Sequence, residues 1–193
     1  MLLHPRGVFT VTAALFVALA LVILLSGTPA ADVAVRESVI GLASPPVIAM
    51  MRLVTYAGAW WILLPGTLLL VAAMPAARRQ WWVWCVLMVV APIAEWVFKN
   101  LVRRARPEAT SFAFPSGHAT AAAAFFGAVI YLAGNLPRRA AVVLRVLAVL
   151  GIVLVGLSRI VLRKHWPVDV VAGIALGLAL ASVAMLIAER DAQ

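Results

Sequence analysis

Long apolar runs separated by short polar segments make up most of the chain. Six stretches are apolar over about 20 residues, the length that an α-helix needs to cross the hydrocarbon core of a bilayer. They cover residues 8–25, 47–74, 81–102, 116–136, 140–157 and 168–188. The pattern predicts an all-α membrane protein of six transmembrane helices. Because the segments between them are short, the helices should form a compact bundle.

Two further segments near the N-terminus need an interpretation. Residues 32–44 are mildly amphipathic, with Val35, Val39 and Leu42 at helical spacing, and Pro45 follows them. We expect a short helix at the membrane interface, with an irregular loop as the alternative. The first apolar run resembles a signal peptide, but it is longer than the usual apolar region of one. We therefore expect it to remain as the first helix.

Composition supports the membrane interpretation and excludes other classes. Hydrophobic residues form 65% of the chain and charged residues 12%, against roughly 45–50% and 25% in soluble domains. Disordered chains are polar and rich in charge, so disorder is also excluded. Cys85 is the single cysteine, so no disulfide can form within the chain. We expect one integral membrane domain over residues 1–193.

The charge balance is unusual for such a protein, because 16 Lys and Arg face only 7 Asp and Glu. Six crossings place both termini on one side of the membrane. The terminal side then carries seven cations: Arg6, Arg78, Arg79, Arg138, Arg139, Arg145 and Arg190. The opposite side carries nine: Arg36, Arg52, Lys99, Arg103, Arg104, Arg106, Arg159, Arg163 and Lys164. This count does not fit the positive-inside rule, so some of the nine should have a purpose other than orientation.

Three short segments hold most of the polar residues on that opposite side. They read KNLVRRARP over residues 99–107, PSGH over 115–118 and SRIVLRKHWPVD over 158–169. The 41 residues from His118 to Arg159 correspond to about 60 Å of helix. That length equals two crossings of a roughly 30 Å hydrocarbon core. The three segments should therefore meet on one surface.

The residue types in these segments are suited to binding phosphate. Lys99, Arg106 and Arg159 supply three fixed positive charges, and Arg contacts phosphate through two parallel hydrogen bonds. Ser116 and Gly117 stand where the fourth helix should begin, so the amides of residues 116–118 can face an anion at a helix N-terminus. Together these groups predict a phosphate-binding site.

Two histidines next to this site can supply proton transfer and nucleophilic attack. Asp169 follows His165 by four residues and can hold its imidazole N–H, as the acid does in a catalytic triad. The other ring nitrogen of His165 is then free to attack phosphorus, while His118 protonates the leaving oxygen. Because the two histidines need opposite protonation states, the rate should depend on pH in a bell shape.

These residues closely match a known family. The chain resembles the type 2 phosphatidic acid phosphatase superfamily, which includes bacterial acid phosphatases and vanadium haloperoxidases. Its motifs K-x6-R-P, P-S-G-H and S-R-x5-H-x3-D are all complete here. The matching residues are Lys99, Arg106 and Pro107; Pro115, Ser116, Gly117 and His118; and Ser158, Arg159, His165 and Asp169. The motifs span residues 99–169, and the layout of six spans extends the resemblance over nearly the whole chain.

The resemblance implies a role for each matching residue. His165 would form a phosphohistidine, Asp169 would orient it, and His118 would act first as general acid and then as base for water. The phosphoryl group would be bound by Lys99, Arg106, Ser116, Gly117 and Arg159. The resemblance also implies no metal or other cofactor, and a site on the periplasmic side of a bacterial inner membrane.

A few polar and small residues outside the motifs also need an interpretation. Glu95 lies one helical turn before Lys99, and an intramembrane carboxylate is usually paired. We expect it to hold the Lys99 ammonium; the alternative is a contact to another helix. Gly173 and Gly177 suit close helix packing inside the bundle. Arg103, Arg104, Arg163 and Lys164 suit anchoring at lipid headgroups at least as well as substrate contact.

The expected activity is a membrane lipid phosphatase acting on a phosphomonoester or diphosphate. Phosphatidic acid, phosphatidylglycerophosphate and undecaprenyl diphosphate are the expected classes of substrate, presented from the bilayer. The alternative is a phosphotransferase that passes the phosphoryl group to another lipid such as lipid A. A third alternative is a protein without enzymatic activity, such as a transporter. No nucleic-acid partner is expected.

Overall fold

Helices are the only elements of regular structure in the computed structural model, which describes residues 4–108 and 110–191. In chain order they are α1 Pro5–Ser26, α2 Ala30–Gly41, α3 Pro45–Val54, α4 Trp60–Ala73, α5 Pro75–Arg79, α6 Trp81–Val102, α7 Gly117–Leu132, α8 Arg138–Val161 and α9 Pro167–Arg190. Short 3₁₀ turns follow α3 and α7. The predicted all-α class is confirmed.

Five of the described helices are long and apolar enough to cross a membrane, namely α1, α6, α7 with its 3₁₀ extension, α8 and α9. A sixth is counted if α2 and α3, which meet at 111°, are taken together as one bent span. The first apolar run is part of the bundle, since Phe16 and Ile23 of α1 pack against Ala172 and Leu176 of α9. The chain is a multi-pass membrane protein.

The second predicted span, residues 47–74, is wrong as a single helix. It divides into α3, a 3₁₀ turn over Thr55–Gly58, and α4. At Ala59 the backbone is extended, with φ −81° and ψ 130°. A Cβ added to Gly58 would lie 2.8 Å from the carbonyl oxygen of His118. The chain is interrupted here because this turn packs directly against the beginning of α7.

The interruption leaves α4 with 14 residues, or about 21 Å. It begins beside His118 at Trp60 and ends beside Asn135, where α7 has also ended. Thus α4 runs alongside α7 between the two ends of the bundle. The described chain still passes between these ends six times, in α1, α4, α6, α7, α8 and α9, while α2 and α3 stay near His118.

The segment predicted to be either an interfacial helix or a loop is helical, as α2. Two of its charged residues, Asp32 and Arg36, contact the loop between α6 and α7. Arg36 pairs with Glu108 at 2.5 Å, and Asp32 pairs with Arg104 at 2.5 Å. Polar contacts therefore fix α2 against the end of the bundle that carries the three motifs.

Helices α7 and α9 approach each other closely at two glycines. A Cβ on Gly173 would lie 2.6 Å from the carbonyl oxygen of Ser116, and one on Gly177 would lie 2.3 Å from that of Thr120. Real Cβ atoms do not approach backbone so closely, so only glycine fits at these two positions. The prediction that both glycines serve packing within the bundle is confirmed.

We predict that Gly177→Ala destabilises the protein, because its Cβ would force α7 and α9 apart. Overpacking of this kind costs about 1–3 kcal/mol. Gly7→Ala is the matched control, since Gly7 has no neighbour within 4 Å of the added atom. Thermal unfolding of the two detergent-solubilised variants measures the difference. Equal midpoints for both variants would contradict the packing argument.

Candidate active site

A cavity of about 340 Å³ opens at the end of the bundle where the three motifs meet. Its polar lining consists of Glu95, Lys99, Arg106, Gly117, His118, Arg159 and His165, and its other walls of Gly58, Trp60, Trp61, Pro92 and Ala121. Of the site residues predicted from the sequence, Ser116 and Asp169 are not in this lining. They lie directly behind it, in contact with each other through the backbone.

The three cations predicted to bind phosphate come from three different segments of the chain. Lys99 lies in the last turn of α6 and Arg159 in the last turn of α8. The Arg159 Nη1 donates to Thr55 Oγ1 at 2.7 Å. Arg106 lies in the loop after α6, where its Nε donates to the carbonyl oxygen of Phe112 at 3.1 Å. Each cation is held by a neighbouring group and still reaches the cavity.

Glu95 forms an ion pair with the Lys99 ammonium, one turn further along α6. Both side chains are largely buried. The glutamate also lies against the beginning of α7, where a Cβ on Gly117 would be 2.7 Å from Glu95 Oε1. Glycine at position 117 therefore leaves room for the carboxylate that neutralises Lys99.

His165 and Asp169 are both buried, with 1% and 0% of their surfaces exposed. The Nδ1 of His165 lies 3.6 Å from Asp169 Oδ2, just beyond hydrogen-bond distance. In substrate-free sites such contacts are often long and tighten when substrate binds. Because Nδ1 faces the carboxylate, Nε2 is the ring nitrogen left for the cavity.

The beginning of α7 differs from the expectation in one respect. The Ser116 amide donates to the carbonyl oxygen of Asp169 at 2.9 Å. It is therefore already engaged, and the expectation that all three amides of residues 116–118 face an anion is wrong for the first. The amides of Gly117 and His118 remain at the helix N-terminus, where the helix dipole favours negative charge.

Several buried polar atoms around the cavity have no hydrogen-bond partner within residues 4–108 and 110–191, including Ser116 Oγ, Arg159 Nε and His165 Nδ1. Buried polar groups are normally paired. A ligand with several acceptor oxygens, such as a phosphoryl group, fits the serine and arginine donors. The described residues contain no group of three or more His, Cys, Asp or Glu side chains placed to hold a metal ion.

Three residues that contact the site residues are not among those predicted to form the site: Thr55, Asp32 and Arg104. The interpretation of Arg104 as a headgroup anchor is wrong, because it is 5% exposed and its guanidinium pairs with Asp169 at 2.7 Å and Asp32 at 2.5 Å. Its neighbour Arg103 is exposed. The sequence alone gives no signal that Arg104 is buried while the adjacent Arg103 is exposed.

Burial lowers the pKa of His165 from 6.5 to about 4. The nearby Asp169 carboxylate raises it and the cations Arg159 and Arg106 lower it, but loss of solvation is the largest cause. Desolvation disfavours the charged imidazolium. His165 is therefore neutral at pH 7, the form in which a ring nitrogen has a lone pair to donate.

These features define an integral membrane enzyme whose buried, cationic site is suited to phosphate groups. Residues 80–192 match the model of the PAP2 superfamily. The chain belongs to this superfamily and is an enzyme of its phosphatase class.

Three relatives show how far the similarity extends. The chain is 32% identical to phosphatidylglycerophosphatase B of Bacillus subtilis, over 86% of this chain and 87% of the relative. It is 33% identical to decaprenylphosphoryl-5-phosphoribose phosphatase of Mycobacterium tuberculosis, over 81% and 88%. The crystal structure of a transmembrane PAP2-type phosphatidylglycerolphosphate phosphatase from Bacillus subtilis superposes with a TM-score of 0.83 at 28% identity, covering 97% of this chain and 96% of that one.

We predict that His165 of the substrate-free protein titrates near pH 4. Since its pKa is lower in the folded than in the unfolded chain, the unfolded chain binds more protons between about pH 6.5 and 4, and the free energy of unfolding should fall on acidification through this range. NMR of histidine-labelled protein, with His165→Gln to assign the signal, measures the pKa. A value at or above 6.5 would show that burial does not control it.

Proposed function

We propose that the protein hydrolyses a lipid phosphomonoester or diphosphate through a phosphohistidine on His165. The observation that carries the proposal is the shared cavity, in which three cations surround two histidines. Cations at fixed positions stabilise the charge of a transferring phosphoryl group. The two histidines supply a nucleophile and a proton donor on the same group.

In the first step, Nε2 of His165 attacks phosphorus and a P–N bond forms. The P–O bond to the lipid breaks, and His118 gives its proton to the departing oxygen. Asp169, 3.6 Å from Nδ1, stabilises the positive charge that develops on the imidazole. Lys99, Arg106, Ser116, Gly117 and Arg159 bind the phosphoryl oxygens.

In the second step, water attacks the phosphorus and the P–N bond breaks. His118, now neutral, takes a proton from this water, so both histidines return to their starting states. The products are inorganic phosphate and either an alcohol, from a monoester, or a lipid monophosphate, from a diphosphate.

The wall of the cavity indicates how a lipid reaches it. Trp60 and Trp61 of α4 line the cavity while 60% and 50% of their surfaces stay exposed. Pro92 of α6, which is also exposed, lines the same wall. On a membrane-spanning bundle, apolar surface of this kind faces the lipid. A hydrocarbon chain can therefore remain in the bilayer beside α4 and α6 while its phosphate enters the cavity.

The relatives favour a phosphomonoester as the substrate. Two relatives that match over most of both chains are named phosphatidylglycerophosphatase B and decaprenylphosphoryl-5-phosphoribose phosphatase. We place phosphatidylglycerophosphate and phosphatidic acid first among the expected substrates, with undecaprenyl diphosphate after them.

Glu95 acts by positioning the Lys99 ammonium, with which it is paired.

The arrangement of cations supports a periplasmic site in a bacterial inner membrane. Lys99, Arg106 and Arg159 line the cavity, and Arg104 is buried between two aspartates. Without these four, the side of the site retains five cations against seven on the terminal side. Under the positive-inside rule, this remaining bias supports our proposal that the termini lie in the cytoplasm.

We predict that His165→Ala abolishes phosphate release, whereas His4→Ala does not, because His4 is exposed at the terminal end. Purified protein is assayed with ³²P-labelled phosphatidylglycerophosphate, phosphatidic acid and undecaprenyl diphosphate. An acid-labile, alkali-stable label on the wild type but not on His165→Ala identifies the phosphohistidine. Glu95→Gln should raise the KM for these lipid phosphates, because the Lys99 ammonium loses the carboxylate that positions it. Activity retained in His165→Ala would overturn the mechanism, and label recovered in a second lipid would indicate the phosphotransferase instead.

We predict opposite labelling for cysteines placed at the two ends of the bundle. In a Cys85→Ser background, Lys164→Cys should react with a membrane-impermeant maleimide on intact spheroplasts, and Arg139→Cys only after permeabilisation. Both positions are exposed. The reverse pattern would place the site in the cytoplasm.

A further inference from the structure

Arg104 occupies one of the six unspecified positions of the K-x6-R-P motif, two residues before Arg106. It does not line the cavity. Its guanidinium instead bridges two carboxylates that are themselves fully buried, through Nη1 to Asp169 Oδ1 at 2.7 Å and Nη2 to Asp32 Oδ2 at 2.5 Å. These three residues are called the Asp32–Arg104–Asp169 bridge below.

Each of the four carboxylate oxygens in the bridge has its own donor. Asp32 Oδ1 accepts from the amide of Val168 at 2.9 Å. Asp169 Oδ2 accepts from the amide of Trp166 at 2.9 Å. Both amides belong to the beginning of α9, whose dipole offsets the one net negative charge of the bridge. A charge buried in this way is retained only where such partners exist.

This arrangement determines which oxygen of Asp169 faces the nucleophile. Arg104 occupies Oδ1, so the carboxylate cannot turn without losing a charged hydrogen bond. Oδ2 is thereby kept toward His165 Nδ1, at 3.6 Å. The planar guanidinium fork suits two carboxylates at once, which the single point charge of a lysine does not.

We propose that Arg104, held by Asp32, is a positioning residue that orients Asp169 toward His165. Asp32 comes from α2, 72 residues before Arg104 in the chain. The proposal rests on the proposed function, since it concerns how the nucleophile is oriented. It assigns to α2 a part in catalysis although no residue of α2 lines the cavity.

The charge-balanced double variant Asp32→Asn/Arg104→Gln tests the proposal. It removes one anion and one cation, so the buried net charge is unchanged while the guanidinium fork is lost. We expect kcat to fall by about 10–100-fold, the usual range for a residue that orients a functional group, with KM changed less than about twofold because phosphate contacts stay intact. The rate of phosphohistidine formation should fall by the same factor.

Arg103→Gln is the matched control, because Arg103 is exposed and its side chain donates to the backbone carbonyl oxygen of Asn100 rather than to a carboxylate. It should keep the wild-type kcat. The single variant Asp32→Asn, which leaves Arg104 paired with Asp169, should lower kcat less than the double variant. Thermal unfolding of each variant accompanies the kinetics.

A folded double variant with wild-type kcat, or with raised KM at unchanged kcat, overturns the proposal. If the double variant does not fold, Asp32→Asn decides, since wild-type kcat in that protein shows that Asp32 has no positioning role. These outcomes are distinct from failure of the proposed function, which shows itself as activity in His165→Ala.

Discussion

The contact between α7 and α9 is the constraint on which the rest of the site depends. Two glycines of α9 remove the side chains that would separate the helices, and the carbonyl oxygen of Ser116 then lies close to Gly173. The Ser116 amide closes the contact by donating to Asp169. The beginnings of both helices are thus joined by backbone, and the motifs that carry His118 and His165 lie side by side.

The site also requires that charged side chains be stabilised where they are buried at the end of an apolar bundle. Each buried or half-buried charge of the site has a named neighbour: Lys99 has Glu95, Arg104 has two aspartates, and Arg159 has the Thr55 hydroxyl. Several of these partners come from distant parts of the chain. A phosphate-binding site in such surroundings therefore needs supporting groups in addition to those that would contact the phosphate.

The sequence predicted the all-α fold and the meeting of the three motifs at one end of the bundle. Both predictions have a physical basis. Membrane spans are long and apolar, and motif residues at the ends of spans of known length must meet. The pairing of Glu95 with Lys99 could also be predicted from the sequence, because one helical turn separates the two residues. The roles given to these residues remain predictions.

Other features could not be predicted in this way. The interruption of the second apolar run at Thr55–Gly58 is marked by neither a proline nor a charged residue. The burial of Arg104, but not of Arg103, depends on a partner in α2. Asp32 itself lies in a segment whose amphipathic pattern indicated only a surface helix. All three depend on tertiary contacts with no local signal.

The Val168 amide at the beginning of α9 is capped by a carboxylate that precedes it by 136 residues. The last helix of the bundle is thus completed by one of the first segments to leave the ribosome. No truncated chain that ends before α9 can contain Asp169, and no chain lacking α2 can contain Asp32, which pairs with the arginine that holds Asp169. The order of synthesis therefore sets when the enzyme becomes competent: an unfinished chain, already inserted among lipids, has no assembled centre with which to react.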